Sequence, residues 1–164
     1  MSSDDLKTLL KTVFTRDDWL RLRREVDRLE ESLYKTGDEG YETVLENDVR
    51  KELAEIITSQ NISKDIVHDR LREIREALGG VHAVKITLAA EPPRSLVKEI
   101  WTWVGKHAGE EIILEIKINP GIIGGALIAW NGRYADFSLR EKWEKDWAEK
   151  GAERLKKWEI ITYG

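Results

Sequence analysis

The chain has 164 residues, a formal charge of −4, 35% charged residues, seven tryptophans and no cysteine. Without cysteine it has no disulfide framework, no thiol nucleophile and no cysteine-ligated zinc, and no apolar run reaches the roughly 18 residues of a membrane span. Residues 1–80 carry 14 Lys and Arg against 19 Asp and Glu, and residues 81–164 carry 13 against 12, so neither half offers the basic face that replaces phosphate counterions in a nucleic-acid binder. The acidic start Met1-Ser2-Ser3-Asp4-Asp5 lacks the apolar core of a secretory signal. These features predict a soluble chain of a reducing compartment, with no nucleic-acid partner and no direct membrane insertion.

The first half reads as four helices. A short one covers Ser3 to Thr12. In the next, Thr15 and Asp18 form a capping box, and Trp19, Leu22, Val26, Leu29 and Leu33 recur at steps of three and four to make one apolar stripe. Gly37 to Gly40 is expected to end it. Thr43 and Glu46 suggest a second capping box, opening a helix with Val49, Leu53, Ile56 and Ile57 inward. Ser63 is the expected cap of the fourth, with Val67, Leu71, Ile74 and Leu78 on one face and Gly79 as a left-handed terminator. Stripes of this kind are buried against one another, so a helical bundle over residues 1–79 follows.

After Gly79-Gly80 the pattern changes to β-α-β-β-α, which sets a second domain over residues 80–164. Val81 to Leu88 reads as a strand through Val81, Ala83, Ile86 and Leu88. Pro92-Pro93 stands where a helix starts, and Leu96, Ile100, Trp103 and Val104 supply its apolar face. Ile112 to Ile118 is the clearest strand, and a strand–helix–strand unit favours parallel pairing. Asn119-Pro120-Gly121 breaks the chain. Ala126 to Trp130 and Arg133 to Phe137 form a hairpin about Asn131-Gly132, whose two central positions need positive φ. Ser138-Leu139-Arg140-Glu141 reads as a capping box opening a last helix with the stripe Leu139, Trp143, Trp147, Leu155 and Trp158, interrupted at Gly151. The fold class is therefore α+β: a helical bundle followed by a small αβ domain with a four-stranded mixed sheet.

Chemistry-bearing patterns are sparse. His68, His82 and His107 lie far apart, without the spacing of a metal motif. The run Pro120-Gly121-Ile122-Ile123-Gly124-Gly125 leads into a strand rather than a helix N-terminus, and no Lys-Ser or Lys-Thr follows it, unlike a phosphate loop. Acidic residues alternate with Lys and Arg on polar helix faces, as solvated surface does. No catalytic residue, metal or cofactor is expected.

The segment Ile118-Asn119-Pro120-Gly121-Ile122-Ile123-Gly124-Gly125-Ala126-Leu127-Ile128, followed by Asp136-Phe137-Ser138-Leu139-Arg140, resembles the C-terminal signature of the ATP synthase delta subunit (oligomycin-sensitivity-conferring protein) family. Pro120, Gly124, Gly125, Asp136, Ser138 and Arg140 match the motif, while Phe137 stands where the family has Gly. The resemblance extends over roughly residues 81–145. It implies a non-enzymatic subunit of the peripheral stalk of an F-type ATP synthase, at the cytoplasmic face of an energy-transducing membrane. It also implies two partners: the b-type stalk helices, with Leu139, Trp143 and Trp147 as candidate interface, and the N-terminal helices of the head's alpha subunits, with Trp19, Leu22, Val26 and Leu29 as candidate interface. The alternatives are an adaptor of another assembly, including an E-like stalk subunit of an A/V-type ATPase, and a nucleotide binder using the Gly121–Gly125 loop.

Overall fold

The computed structural model describes residues 3–35, 37–58, 63–109, 111–140, 143, 144 and 146–150. Its elements are α1 (Ser3–Leu10), α2 (Arg16–Lys35), α3 (Gly37–Asn47), α4 (Lys51–Thr58), α5 (Lys64–Gly79), β1 (His82–Leu88), α6 (Arg94–Ala108), β2 (Ile112–Ile118), β3 (Ala126–Trp130) and β4 (Arg133–Asp136). Residues 140, 143, 144 and 146–150 are also helical. Leu155 and Trp158, expected to continue that helix past Gly151, lie outside the described residues. The mixed α+β class read from the sequence holds.

The chain divides into two compact units, Met1–Val84 with Arg94–Glu115, and Lys85–Pro93 with Ile116–Gly164. The first has a core built from α1 to α5, where Leu9, Leu22, Leu29, Leu53 and Ile74 reach zero exposure. Each such side chain contributes about 1.5–3 kcal/mol by leaving water. The α2 stripe is sequence-legible, because steps of four, three and four place Leu22, Val26, Leu29 and Leu33 on one face. Its start is too. Thr15 N–H donates to Asp18 Oδ2 (3.3 Å) and Asp18 N–H donates to Thr15 Oγ1 (3.2 Å), the reciprocal bonds of a capping box. Trp19 is half-buried, and its indole N–H donates to the Leu78 carbonyl at 2.9 Å, tying α2 to the end of α5.

Among the described residues five helices precede β1, where the sequence reading has four. Gly37 to Gly40 opens α3 instead of ending a helix, and Thr43 lies inside it. A capping residue needs non-helical backbone, so the Thr43–Glu46 pair cannot cap. The glycine cost in a helix, about 1 kcal/mol each, is offset by packing of Tyr41, Val44 and Leu45 against the core. Two further terminal readings need correction. Ser63 occupies the N-cap of α5, but its hydroxyl makes no capping bond; its carbonyl accepts from Ile66 and Val67 N–H at 3.0 and 3.2 Å. Gly79 is still helical, and Gly80 closes the helix in a right-handed conformation (φ −81°) with its N–H on the Ala77 carbonyl. The last turn tightens to an i→i+3 bond, which satisfies the end without a left-handed residue.

The buried face of α6 is Val97 and Val104, with Ile100 and Trp101 half-buried, whereas the expected Leu96 and Trp103 are exposed. Trp101 decides the rotation: its N–H donates to the Ile112 carbonyl (2.9 Å) and its ring meets Phe14 edge-on at 5.2 Å. In β1 the inward residues are Val84 and Ile86, so the expected inward Ala83 faces out. The loose apolar pattern there was one residue out of phase over its first half, and a one-residue slip reverses faces. Residues 14 and 15 also line β2: Leu114 N–H donates to the Phe14 carbonyl at 2.8 Å, with a parallel bridge from Thr15 to Leu114.

The sheet order is β2-β1-β3-β4. His82 N–H donates to the Glu111 carbonyl and Asn119 N–H to the Leu88 carbonyl, so partners advance together along β1 and β2 and the pair is parallel. Strand β3 runs antiparallel to both β1 and β4, with Ile86 opposite Ile128 and Trp130 opposite Arg133. The hairpin turn has Asn131 at φ 48° and Gly132 at φ 73°, as its sequence predicts.

Candidate functional site

The second unit is organised around the Gly124-Gly125 bend. Ahead of it, Asn119-Pro120-Gly121-Ile122 makes a turn in which Ile122 N–H donates to the Asn119 carbonyl (3.1 Å) and Gly121 N–H to Asn119 Oδ1 (3.0 Å). Proline presets φ for the second turn position, and the asparagine side chain satisfies an amide two residues on. Gly124 N–H then donates to the Ile122 carbonyl at 3.0 Å. The amides of residues 121, 122 and 124 are thus turned onto the chain's own oxygens rather than toward a ligand. This is the opposite of a phosphate cradle, whose amides point outward.

Both glycines have positive φ, +65° and +76°. At Gly125 a Cβ would sit 2.2 Å from the Phe137 carbonyl oxygen and 2.9 Å from Ser138 Cα. At Gly124 it would meet the Leu139 side chain at 3.1 Å. The glycine pair therefore lets one backbone lie directly on another. The two stretches are stitched by Phe137 N–H donating to the Ala126 carbonyl (2.8 Å) and by Leu139 N–H shared between the Ile123 and Gly124 carbonyls (3.2 and 3.3 Å). Phe137, which stands where the delta family has glycine, is not strained: Asn131 is the one non-glycine residue with positive φ among the described residues.

Asp136 completes the bend. Its Oδ1 accepts the Ser138 N–H at 2.7 Å, an Asx-turn closure. The Ser138 hydroxyl and amide, then the nearby Arg140 charge, hold its carboxyl below the ordinary aspartate value of 3.8. Ser138 was expected to cap the closing helix, but the first helical bond there runs from Trp143 N–H to the Leu139 carbonyl (2.8 Å), which puts Leu139 at the cap and Ser138 before it. A carboxyl with a lowered folded pKa stabilises above its unfolded pKa and loses that contribution as pH falls through the folded value. In an NMR titration the Asp136 carboxyl should have its midpoint below 3.8, and Ser138→Ala should move it upward. A wild-type midpoint at or above 3.8 would contradict the bonding described.

The bend delivers an aromatic face. Leu139, Trp143 and Trp147 are 50%, 54% and 47% exposed, and the two indoles are stacked with centroids 5.4 Å apart and planes 8° apart. Ile123 and Phe137, beside the bend, are also exposed. Sequence reading did not single these two out as surface, since an apolar residue next to glycine carries no directional signal. Arg140 reaches Glu144 at 3.9 Å, both exposed.

The other expected interface is not a surface. Leu22, Val26 and Leu29 have 0–1% exposure and form the core, and half-buried Trp19 packs on it. The same periodicity that identifies a helix face identifies the face that folding consumes, so this stripe is corrected from binding surface to interior. What the sequence did not reveal is a buried ion pair beside it. Arg50 Nε donates to Glu25 Oε2 at 2.8 Å, with both side chains no more than 15% exposed. Arg50 also donates to the Asp18 carbonyl and to Thr12 Oγ1, both at 3.3 Å. The three histidines remain apart, and no group of metal-ligating residues occurs among the described residues. A groove of about 450 Å³ along α6 is lined by Ser95, Lys98, Glu99, Thr102, Trp103 and Lys106, all from one helix. Among the described residues no helix is long and apolar enough to cross a membrane.

Residues 61–145 match the family model described as ATP synthase delta (OSCP) subunit. Among curated proteins, the ATP synthase subunit delta of Methylorubrum populi is 30% identical over 78 residues, 48% of this chain and 41% of that protein. That of Methylobacterium nodulans is 28% identical over 145 residues, 85% of this chain and 68% of that protein. That of Desulfatibacillum aliphaticivorans is 24% identical over 76 residues, 46% and 42%. The matched part of the chain thus spans about two fifths of the Methylorubrum populi relative. Since the family match takes in more than half of the residues, and includes the Gly124-Gly125 bend and its Asp136–Ser138 closure, the chain belongs to the ATP synthase delta (OSCP) subunit family.

Proposed function

We propose that the chain is a non-catalytic structural subunit in the peripheral stalk of a proton-translocating F-type ATP synthase. It would join the catalytic head to b-type stalk helices at the cytoplasmic face of the membrane. The observation that carries this reading is a family-matched bend whose Asn119 and Asp136 side chains and turn amides are spent on backbone geometry and which leaves Leu139, Trp143 and Trp147 facing outward. Residues that only bend, cap and present apolar surface suit a mechanical joint, which works by rigidity and a dry interface. Contact with alpha-subunit helices would fall to the outside of the helical unit, where Leu20, Tyr34 and Ile66 are exposed. The E-like alternative is disfavoured by the breaks between α1 and α5, since such a subunit would carry a long uninterrupted N-terminal helix.

Affinity capture of the tagged chain from detergent-solubilised membranes of its own source should recover head subunits together with b-type subunits. Recovery of neither, from a preparation in which the intact synthase is present, rejects the reading.

A further inference from the structure

The chain has four asparagines, at positions 47, 61, 119 and 131. An asparagine side-chain amide can be attacked by the backbone nitrogen of the following residue. The reaction needs a free N–H next in the chain, an uncrowded approach and a carboxamide that can turn. Three of the four sites lack one of these. Asn47 is tied at both ends: its side-chain amide donates to the Thr43 carbonyl at 3.0 Å, and the Asp48 N–H donates to the Val44 carbonyl at 2.9 Å. Asn61 precedes isoleucine, whose β-branch crowds the attacking nitrogen. Asn119 precedes Pro120, which has no N–H, and its Oδ1 is held by the Gly121 N–H at 3.0 Å.

Asn131 meets all three conditions. It is exposed at the tip of the β3–β4 hairpin, and its backbone is left-handed at φ 48°. Gly132 follows it, and nothing lies within 4 Å of the place a Cβ would take there. The ladder pairs Trp130 with Arg133 and leaves the two turn residues outside it, so the Gly132 N–H has no partner among the described residues. We propose that Asn131-Gly132 is a self-modifying site of this protein, independent of the stalk reading. The Gly132 nitrogen gives its proton to solvent and bonds to Asn131 Cγ. The Cγ–Nδ2 bond breaks, and ammonia leaves with a proton from solvent. Water then opens the resulting five-membered imide. Opening at Cγ gives aspartate; opening at the main-chain carbonyl gives isoaspartate, with the chain running through the side chain. One water is consumed and one ammonia released, with no oxidant or cofactor. The two products differ in consequence. Aspartate before glycine still suits a two-residue hairpin turn. Isoaspartate adds a backbone carbon to the turn and disturbs the register that sets Ala129 opposite Tyr134. That register carries β4 to Phe137, whose N–H holds the bend at the Ala126 carbonyl.

The test is incubation of the full chain at about pH 6 and about pH 8, followed by peptide mapping by mass spectrometry. The peptide containing Asn131 should become about one dalton heavier, in two separable forms, at least about tenfold faster than those containing Asn47, Asn61 or Asn119. Conversion should be faster at the higher pH, because the nitrogen must lose its proton. Asn131→Gly, which keeps a hairpin-compatible pair, should abolish it. In hydrogen exchange the isoaspartate form should lose protection from Arg133 to Phe137, whereas Asn131→Asp should keep it. Conversion in the urea-unfolded chain but not in the native protein overturns the site, since the folded turn would then close the reaction. Equal conversion at Asn47 in the native protein also overturns it. Unchanged protection in the isoaspartate form overturns the link from this turn to the bend.

Discussion

Gly125→Ala is expected to cost roughly 3–5 kcal/mol, the largest effect of any single methyl in the second unit. Two costs combine. A non-glycine residue held at φ +76° is strained by about 1–2 kcal/mol. Its Cβ would also lie 2.2 Å from the Phe137 carbonyl oxygen, which is backbone and cannot swing aside. Relief requires prying residues 137–138 from the bend, which breaks the bonds at Ala126, Ile123 and Gly124 and releases the start of the Trp143 helix. Two other glycines serve as controls because they separate the costs. At Gly124 the alanine methyl meets only the Leu139 side chain, at 3.1 Å, and at Gly132 it meets nothing within 4 Å. The expected order of destabilisation in urea unfolding is therefore Gly125, then Gly124, then Gly132, with the last near 1 kcal/mol. Equal losses at all three would show that strain at φ, rather than backbone contact, sets the energetics of the joint.

The second large effect lies in the helical unit. Arg50→Met is expected to destabilise by about 3–5 kcal/mol, because it strands the buried Glu25 carboxylate without its partner. The loss includes more than the ion pair. Glu25 Oε2 also accepts the Arg50 backbone N–H at 3.2 Å, and the guanidinium links Thr12, the Asp18 carbonyl and α2 at one point. Replacing both partners, Glu25→Leu with Arg50→Met, should recover most of the loss, since a buried pair is often matched in stability by apolar groups of similar size. Denaturant unfolding of the two single variants and the double variant gives the coupling directly. A double variant as unstable as the sum of the singles would mean that Arg50 acts mainly through Thr12 and Asp18.

How much of this was legible in the sequence depends on the range of the interaction concerned. The α2 stripe, its capping box, the strong strand at Ile112–Ile118 and the Asn131-Gly132 hairpin rest on neighbours within four residues or on a short run rich in β-branched apolar residues, and those were readable. The ends of helices were less so. Nothing near Thr43 announces that α3 continues through it, because the break that follows is fixed by Arg50 reaching Glu25, 25 residues away. The face of α6 was misassigned for the same reason: Trp101 and Trp103 look alike in sequence, and only the Ile112 carbonyl and the Phe14 ring choose between them.

The candidate site shows the same division. By itself the sequence determined that Gly124, Gly125, Asp136 and Ser138 belong to a bend, since glycine adopts left-handed backbone at no steric cost and short polar side chains close turns. It also determined that Trp143 and Trp147 share a helical face. Only the tertiary structure decided that Gly125 is in contact with the backbone of residue 137, that Ser138 answers Asp136 rather than the helix, and that the α2 stripe is interior while the Leu139 face is open. Periodicity specifies which residues point the same way; whether that direction meets another part of the chain or solvent is settled by contacts distant in sequence, which no local pattern encodes.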